Sequence, residues 1–112
     1  MRRAKREFVR VCTISDVPDE GAISVVVDDL PIAIVRSQGR LYAIEDVCSH
    51  ENVALSEGDV EDGTIECWLH GSRFDLATGR AIGPPATRPV PVYPIKVEDD
   101  DVYVAVPRRV RT

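Results

Sequence analysis

The chain contains only two histidines, and each lies beside a cysteine: Cys48-Ser49-His50 in one segment and Cys67-Trp68-Leu69-His70 in another. This pairing constrains the fold more than any other feature, because two thiolates and two imidazoles can act together only if the segments meet in space. Such a donor set suits one tetrahedral zinc ion, or the two irons of a 2Fe-2S cluster with both cysteines on one iron and both histidines on the other. Zinc sites usually place like ligands in close pairs, Cys with Cys and His with His, whereas each segment here offers one of each. A binuclear cluster gripped between two similar loops uses that mixture naturally. The third cysteine, Cys12, lies in an apolar run with no histidine nearby, so it reads as a core thiol.

The rest of the chain points to an all-β scaffold. At 112 residues there is room for one domain and one core. Its apolar residues are weighted to Val and Ile, which crowd a helix but pack well on pleated strands. The alternation predicts a first strand over Phe8–Cys12, a loop from Ile14 to Gly21, and then three runs, Ala22–Val27, Leu30–Val35 and Arg40–Ile44. Asp28-Asp29 and Ser37-Gln38-Gly39 separate these runs as tight turns, so consecutive antiparallel hairpins are expected. The periodicity stops from Asp46 to Asp62, which reads as a structured loop. Short strands are expected at Thr64–Cys67, Ser72–Asp75, Arg80–Ile82, Tyr93–Val97 and Val102–Val106, with an acidic hairpin tip at Glu98–Asp101. Residues 1–7 and 107–112 are expected to be flexible tails around a domain spanning 8–106.

With the motifs and strands in place, a family resemblance is plain. Cys48-Ser-His50 followed by Cys67-Trp-Leu-His70-Gly71-Ser72 is similar to the Rieske pattern Cys-x-His, a spacer, then Cys-x-x-His-Gly-Ser. The resemblance implies a fold of stacked antiparallel sheets with a cluster-binding subdomain at one tip, and Gly83-Pro84-Pro85-Ala86 stands where the family places a third loop over the cluster. It implies one 2Fe-2S cluster, with Cys48 and Cys67 on the inner iron and His50 and His70 on the outer, redox-active iron. Family histidines leave one ring nitrogen near solvent, so electron transfer is expected to depend on pH. Gly71, Ser72, Phe74, Trp68 and Pro84 are the residues expected around the ligands. Trp68 suits either an exposed docking residue or a lid that keeps water off the cluster.

Two departures from the respiratory members of that family sharpen the class. Those proteins carry an extra cysteine in each loop, forming a disulfide, but here the positions fall near Val53 and at Leu69. They also place a tyrosine, a hydrogen-bond donor to a cysteine sulfur, where this chain has Phe74. Ser72 remains as a possible donor to a bridging sulfide. With one donor missing, the potential is expected near the low end of the Rieske range, roughly -150 mV rather than +300 mV.

Within the family, the stretches Ala54–Gly58 and Glu66–Asp75 resemble the small bacterial ferredoxins that serve oxygenases. This implies a soluble one-electron carrier between a flavin-dependent ferredoxin reductase and a terminal non-haem iron, aromatic-ring oxygenase, a component of a dioxygenase system and not itself an enzyme. The charge agrees. Residues 8–107 hold 7 basic against 18 acidic side chains, a net of -11, which repels nucleic acid and speeds encounter with basic proteins. No run approaches the roughly 20 apolar residues of a membrane span, and the basic start is not followed by a signal-like apolar region, so a cytoplasmic site is expected. Two other readings stand beside this one: a carrier or redox-responsive component linked to iron-sulfur assembly, and a structural zinc-binding module. An oxygenase in its own right would need further histidines, and the chain has none to spare.

Overall fold

The computed structural model describes residues 7–107. Alternating apolar and polar positions produce β1 (Glu7–Thr13), β2 (Gly21–Val27), β3 (Leu30–Ser37), β4 (Arg40–Glu45), β5 (Asp59–Glu61), β6 (Thr64–Glu66), β7 (Arg73–Asp75), β8 (Ala81–Ile82), β9 (Val92–Tyr93), β10 (Ile95–Glu98) and β11 (Asp101–Val106). Single 3-10 turns lie at Ile14–Asp16 and Leu55–Glu57. Among the described residues there is no α-helix, and no helix long and apolar enough to cross a membrane.

All strand pairs are antiparallel, in three sheets of order β1-β11-β10, β2-β3-β4-β9 and β5-β6-β7-β8. The second sheet is the shared wall between the other two. Side chains alternate faces along a strand, so Ile32 and Ile34 of β3 pack with Cys12, Val102, Val104 and Val106 against the first sheet. Ala33 and Val35 point the other way, joining Ile44, Leu55, Ile65, Phe74, Cys48 and Cys67 against the third. All four central side chains of β3 are 0% exposed. A strand buried on both faces must be apolar at every position, which is why Ile32-Ala-Ile-Val35 runs without a polar break.

The hairpin turns follow from local chemistry. Asp28 and Asp29 have φ of 51° and 67°, and Gln38 and Gly39 have 53° and 78°, the left-handed pair that matches the twist of two-residue hairpins. Both hairpins fall where the sequence predicts them, as does the acidic tip between β10 and β11. Cys12 is a buried core thiol, and burial pushes its pKa up.

Four expectations need correction. The segment from Asp46 to Asp62 is not all loop: Asp59–Glu61 form β5, folded onto β6 by Asp62-Gly63 with φ of 51° and 78°. The predicted strand Tyr93–Val97 is two strands in different sheets. Pro94, with no N–H to give a ladder, breaks it, so that β9 pairs with β4 and β10 with β11. Ser72 precedes β7 instead of lying in it. At the amino end β1 begins at Glu7. The expected tail over residues 1–7 is thereby corrected at Glu7, whose ladder partner Val106 makes it part of the sheet; the remainder of the expected tails, residues 1–6 and 108–112, lies outside the described residues.

One close approach brings the third sheet under the loop after β4. Gly58 ends the Leu55–Glu57 turn, and a Cβ there would meet the carbonyl oxygen of Glu66 at 1.8 Å. That neighbour is backbone of β6, immediately before Cys67, and cannot rotate away. Gly58→Ala should therefore lower the unfolding free energy by about 1–3 kcal/mol through forced backbone shifts, measured by chemical denaturation. A change within about 0.5 kcal/mol, the range of neutral surface substitutions, would show that the approach is not tight.

Candidate metal centre

Two loops and a third segment converge beyond the apolar layer between the second and third sheets. The first loop leaves β4 at Asp46, a carboxylate that is 3% exposed and accepts hydrogen bonds from the Ser56 backbone N–H at 2.6 Å and the Ser56 hydroxyl at 2.7 Å. Asp46 also donates its own N–H to the Pro31 carbonyl at 2.9 Å. These bonds clamp both ends of a ten-residue excursion, and hydrogen bonds to a charged group contribute about 1.5–3 kcal/mol each. Within it the Cys48 N–H donates to Val53 at 3.0 Å, and the Val53 N–H donates to the Glu51 carbonyl at 2.9 Å.

The second loop is the tight connection from β6 to β7. The Cys67 N–H donates to the Ser72 carbonyl at 2.6 Å and the Gly71 N–H to the Cys67 carbonyl at 2.9 Å. Gly71 has φ of 77°, a conformation that suits glycine. The Gly83–Pro89 segment is tied to both loops. The Ala86 N–H donates to the buried Ser72 hydroxyl oxygen at 3.1 Å, and the Ser49 hydroxyl donates to the Arg88 carbonyl at 2.5 Å. Pro84 itself is exposed.

The four candidate ligands divide into two pairs. Cys48 and Cys67 are buried, 3% and 1% exposed, and belong to the apolar layer with Leu55, Ile65 and Phe74. Both are free thiols and lie near one another. Burial pushes the Cys67 thiol up, the Leu69 and His70 amide N–H groups aimed at its sulfur pull it down, and the neighbouring Cys48 thiol raises it. His50 and His70 lie outward, their rings perpendicular with centroids 5.5 Å apart. Their side chains are 35% and 47% exposed. Among the described residues, no three His, Cys, Asp or Glu side chains converge closely enough to hold one ion between them.

This donor set fits a cluster of two metal atoms. Soft thiols, the donors that suit an iron-sulfur cluster, are grouped in the apolar interior. The imidazoles are grouped at the surface. The surrounding residues fall as follows: Ser72 and Phe74 are fully buried beneath the loops, whereas Trp68 is 52% exposed and Leu69 39% exposed. Trp68 stands out to solvent and is not shaped as a lid. Val53 packs on the core and Leu69 faces out.

Sequence reasoning missed two acids here. Asp46 carries no local signal, because its partner Ser56 lies ten residues on and only the folded loop joins them. Glu51 was legible only by its place next to His50. Its Oε2 lies 3.7 Å from His50 Nδ1 and 3.8 Å from His70 Nε2.

Comparison with known proteins agrees with this geometry. Residues 7–94 match the Rieske [2Fe-2S] domain family. A relative from Photorhabdus laumondii, the 3-phenylpropionate/cinnamic acid dioxygenase ferredoxin subunit, is 43% identical over 97 residues, covering 86% of this chain and 91% of that protein. Among solved structures, the Sphingomonas yanoikuyae B1 ferredoxin superposes with a TM-score of 0.84 at 30% identity, covering 90% of this chain and 100% of that one. A chain from a complex of reduced oxygenase and oxidized ferredoxin in carbazole 1,9a-dioxygenase superposes with a TM-score of 0.82 at 34% identity, covering 93% and 97%. Motif, fold, donor pairing and relatives converge: the chain belongs to the Rieske 2Fe-2S domain family, and its cofactor is that family's 2Fe-2S cluster.

Proposed function

We propose that this protein is the one-electron carrier of a ring-hydroxylating dioxygenase system, taking its electron from a flavin-dependent ferredoxin reductase and passing it to a terminal oxygenase. In this reading Cys48, Cys67, His50 and His70 are the four cluster ligands. The observation that carries it is the division of those residues into a buried thiol pair and a half-exposed imidazole pair. When bound, the cluster supplies a centre that accepts and returns one electron.

The chain's own residues account for the rest. The cysteines anchor one side of the site in the apolar layer, and the loop hydrogen bonds hold the two loops in register. His50 and His70 bring the opposite side to the surface, where a docked partner comes closest. Trp68, Leu69 and Ile82 expose apolar surface around the same loops, and the net of -11 over residues 8–107 suits basic partners. The relatives are ferredoxin subunits of dioxygenases, and one structural neighbour comes from a complex of ferredoxin with oxygenase. All three thiols are free, which suits the reducing cytoplasm as the place of work. The pairing of the donors supports two irons over a single structural zinc.

Anaerobically purified protein should be red-brown and, after reduction with dithionite, give the low average-g EPR signal of a histidine-ligated cluster; a colourless protein with one zinc per chain would overturn the proposal. Replacing Cys48 or Cys67 with Ser should abolish stable cluster assembly and loosen the fold, since the loops at that tip are organised around the metal. Colour lost from a chain whose denaturation midpoint is unchanged would refute the second half of that expectation. Protein-film voltammetry should give a midpoint near the low end of the Rieske range, roughly -150 mV, and Phe74→Tyr should raise it by restoring a hydroxyl donor. A clearly positive wild-type midpoint, or no rise in the variant, would count against the missing donor as the cause.

A further inference from the structure

The proposed ligand histidines share one carboxylate. Glu51 Oε2 lies 3.7 Å from His50 Nδ1 and 3.8 Å from His70 Nε2, between two rings whose centroids are 5.5 Å apart. Among the described residues no other carboxylate comes within 4 Å of a nitrogen of either ring, and no Lys or Arg lies within ion-pair distance of Glu51. Its place is set by the backbone, because its carbonyl accepts the Val53 N–H at 2.9 Å while Val53 in turn accepts the Cys48 N–H at 3.0 Å. The carboxylate is therefore held by the same short loop that carries His50.

Both distances exceed hydrogen-bond length, so the carboxylate acts on the imidazoles through its charge. Oxidation of the cluster removes one electron and leaves the site one unit more positive. A negative charge beside both imidazoles stabilises that oxidised state over the reduced one and so makes reduction harder. We propose that Glu51 is a potential-setting residue: its carboxylate, shared between His50 and His70, lowers the midpoint potential of the cluster. This rests on the reading of His50 and His70 as ligands. It is separate from the missing donor at Phe74, which acts from the buried side of the site. The Glu51 side chain is 40% exposed, so its influence is screened by salt.

The test is film voltammetry of the cluster-loaded protein as wild type, E51Q, E51A, E51D and the control D99N, which removes an equal charge from the β10–β11 turn of the first sheet. E51Q and E51A should raise the midpoint by at least a threefold change in the ratio of reduced to oxidised protein, about 28 mV at 59 mV per tenfold for one electron. E51D, which keeps the charge, should fall between them and wild type, and D99N should move the midpoint by less than a third of the E51Q shift. The E51Q shift should shrink at molar salt. An E51Q midpoint no higher than that of D99N, or failure of both neutral variants to assemble a cluster, would overturn the inference. H50A and H70A separate this failure from that of the underlying reading. If either variant keeps the low average-g EPR signal, the ligand reading falls. If both lose it while E51Q leaves the midpoint where it was, only the role of Glu51 falls.

Discussion

Burial of β3 on both faces is the constraint on which the rest of the architecture depends. Ile32 and Ile34 serve one apolar layer and Ala33 and Val35 the other, so a single strand holds the outer sheets in place. Full burial of each large aliphatic side chain stabilises the fold by about 1.5–3 kcal/mol. The strand also fixes where the loops emerge: the Pro31 carbonyl at its start accepts the Asp46 N–H, so the loop that carries Cys48 and His50 leaves the sheet beside β3. Cys48 and Cys67 then cap the second layer as part of the core, sharing it with Phe74, Leu55 and Ile65.

From that layer outward the site grades from apolar to solvated over a few residues. The sulfurs are enclosed and the imidazoles half exposed, and the backbone between each Cys and its His makes the crossing. Loops this short cannot form their own core, so polar contacts hold them. Asp46 clamps Ser56, Ser72 accepts from Ala86, and Ser49 donates to Arg88, each bond joining segments far apart in sequence. Among the described residues no buried side-chain polar atom lacks a partner.

Much of this was legible in the sequence because the signals are local. Val and Ile alternation marks β2, β3 and β4, paired Asp residues mark a hairpin turn, and Cys-x-His with Cys-x-x-His marks the proposed donors. The features that escaped are those set by distant partners or by weak local pattern. β5 is three residues long with acids at both ends, so it carries no apolar run, although Asp62-Gly63 is a strong two-residue turn and was the available clue. The division at Pro94 turns on which sheet each half joins, a choice made by tertiary pairing. Asp46 and Ser56 meet only after the loop closes. Trp68 could be assigned to solvent only once the tight β6–β7 connection was in view, because its own sequence context permits either side.

The central claim is that both histidines, and only they, complete the donor set supplied by the two buried cysteines. Because the chain has just two histidines, pulsed EPR of the reduced protein labelled with 15N-histidine tests it most directly. Two distinct strong histidine-nitrogen couplings to the cluster of the wild-type protein are the predicted result. Coupling from one histidine or from none would contradict the account.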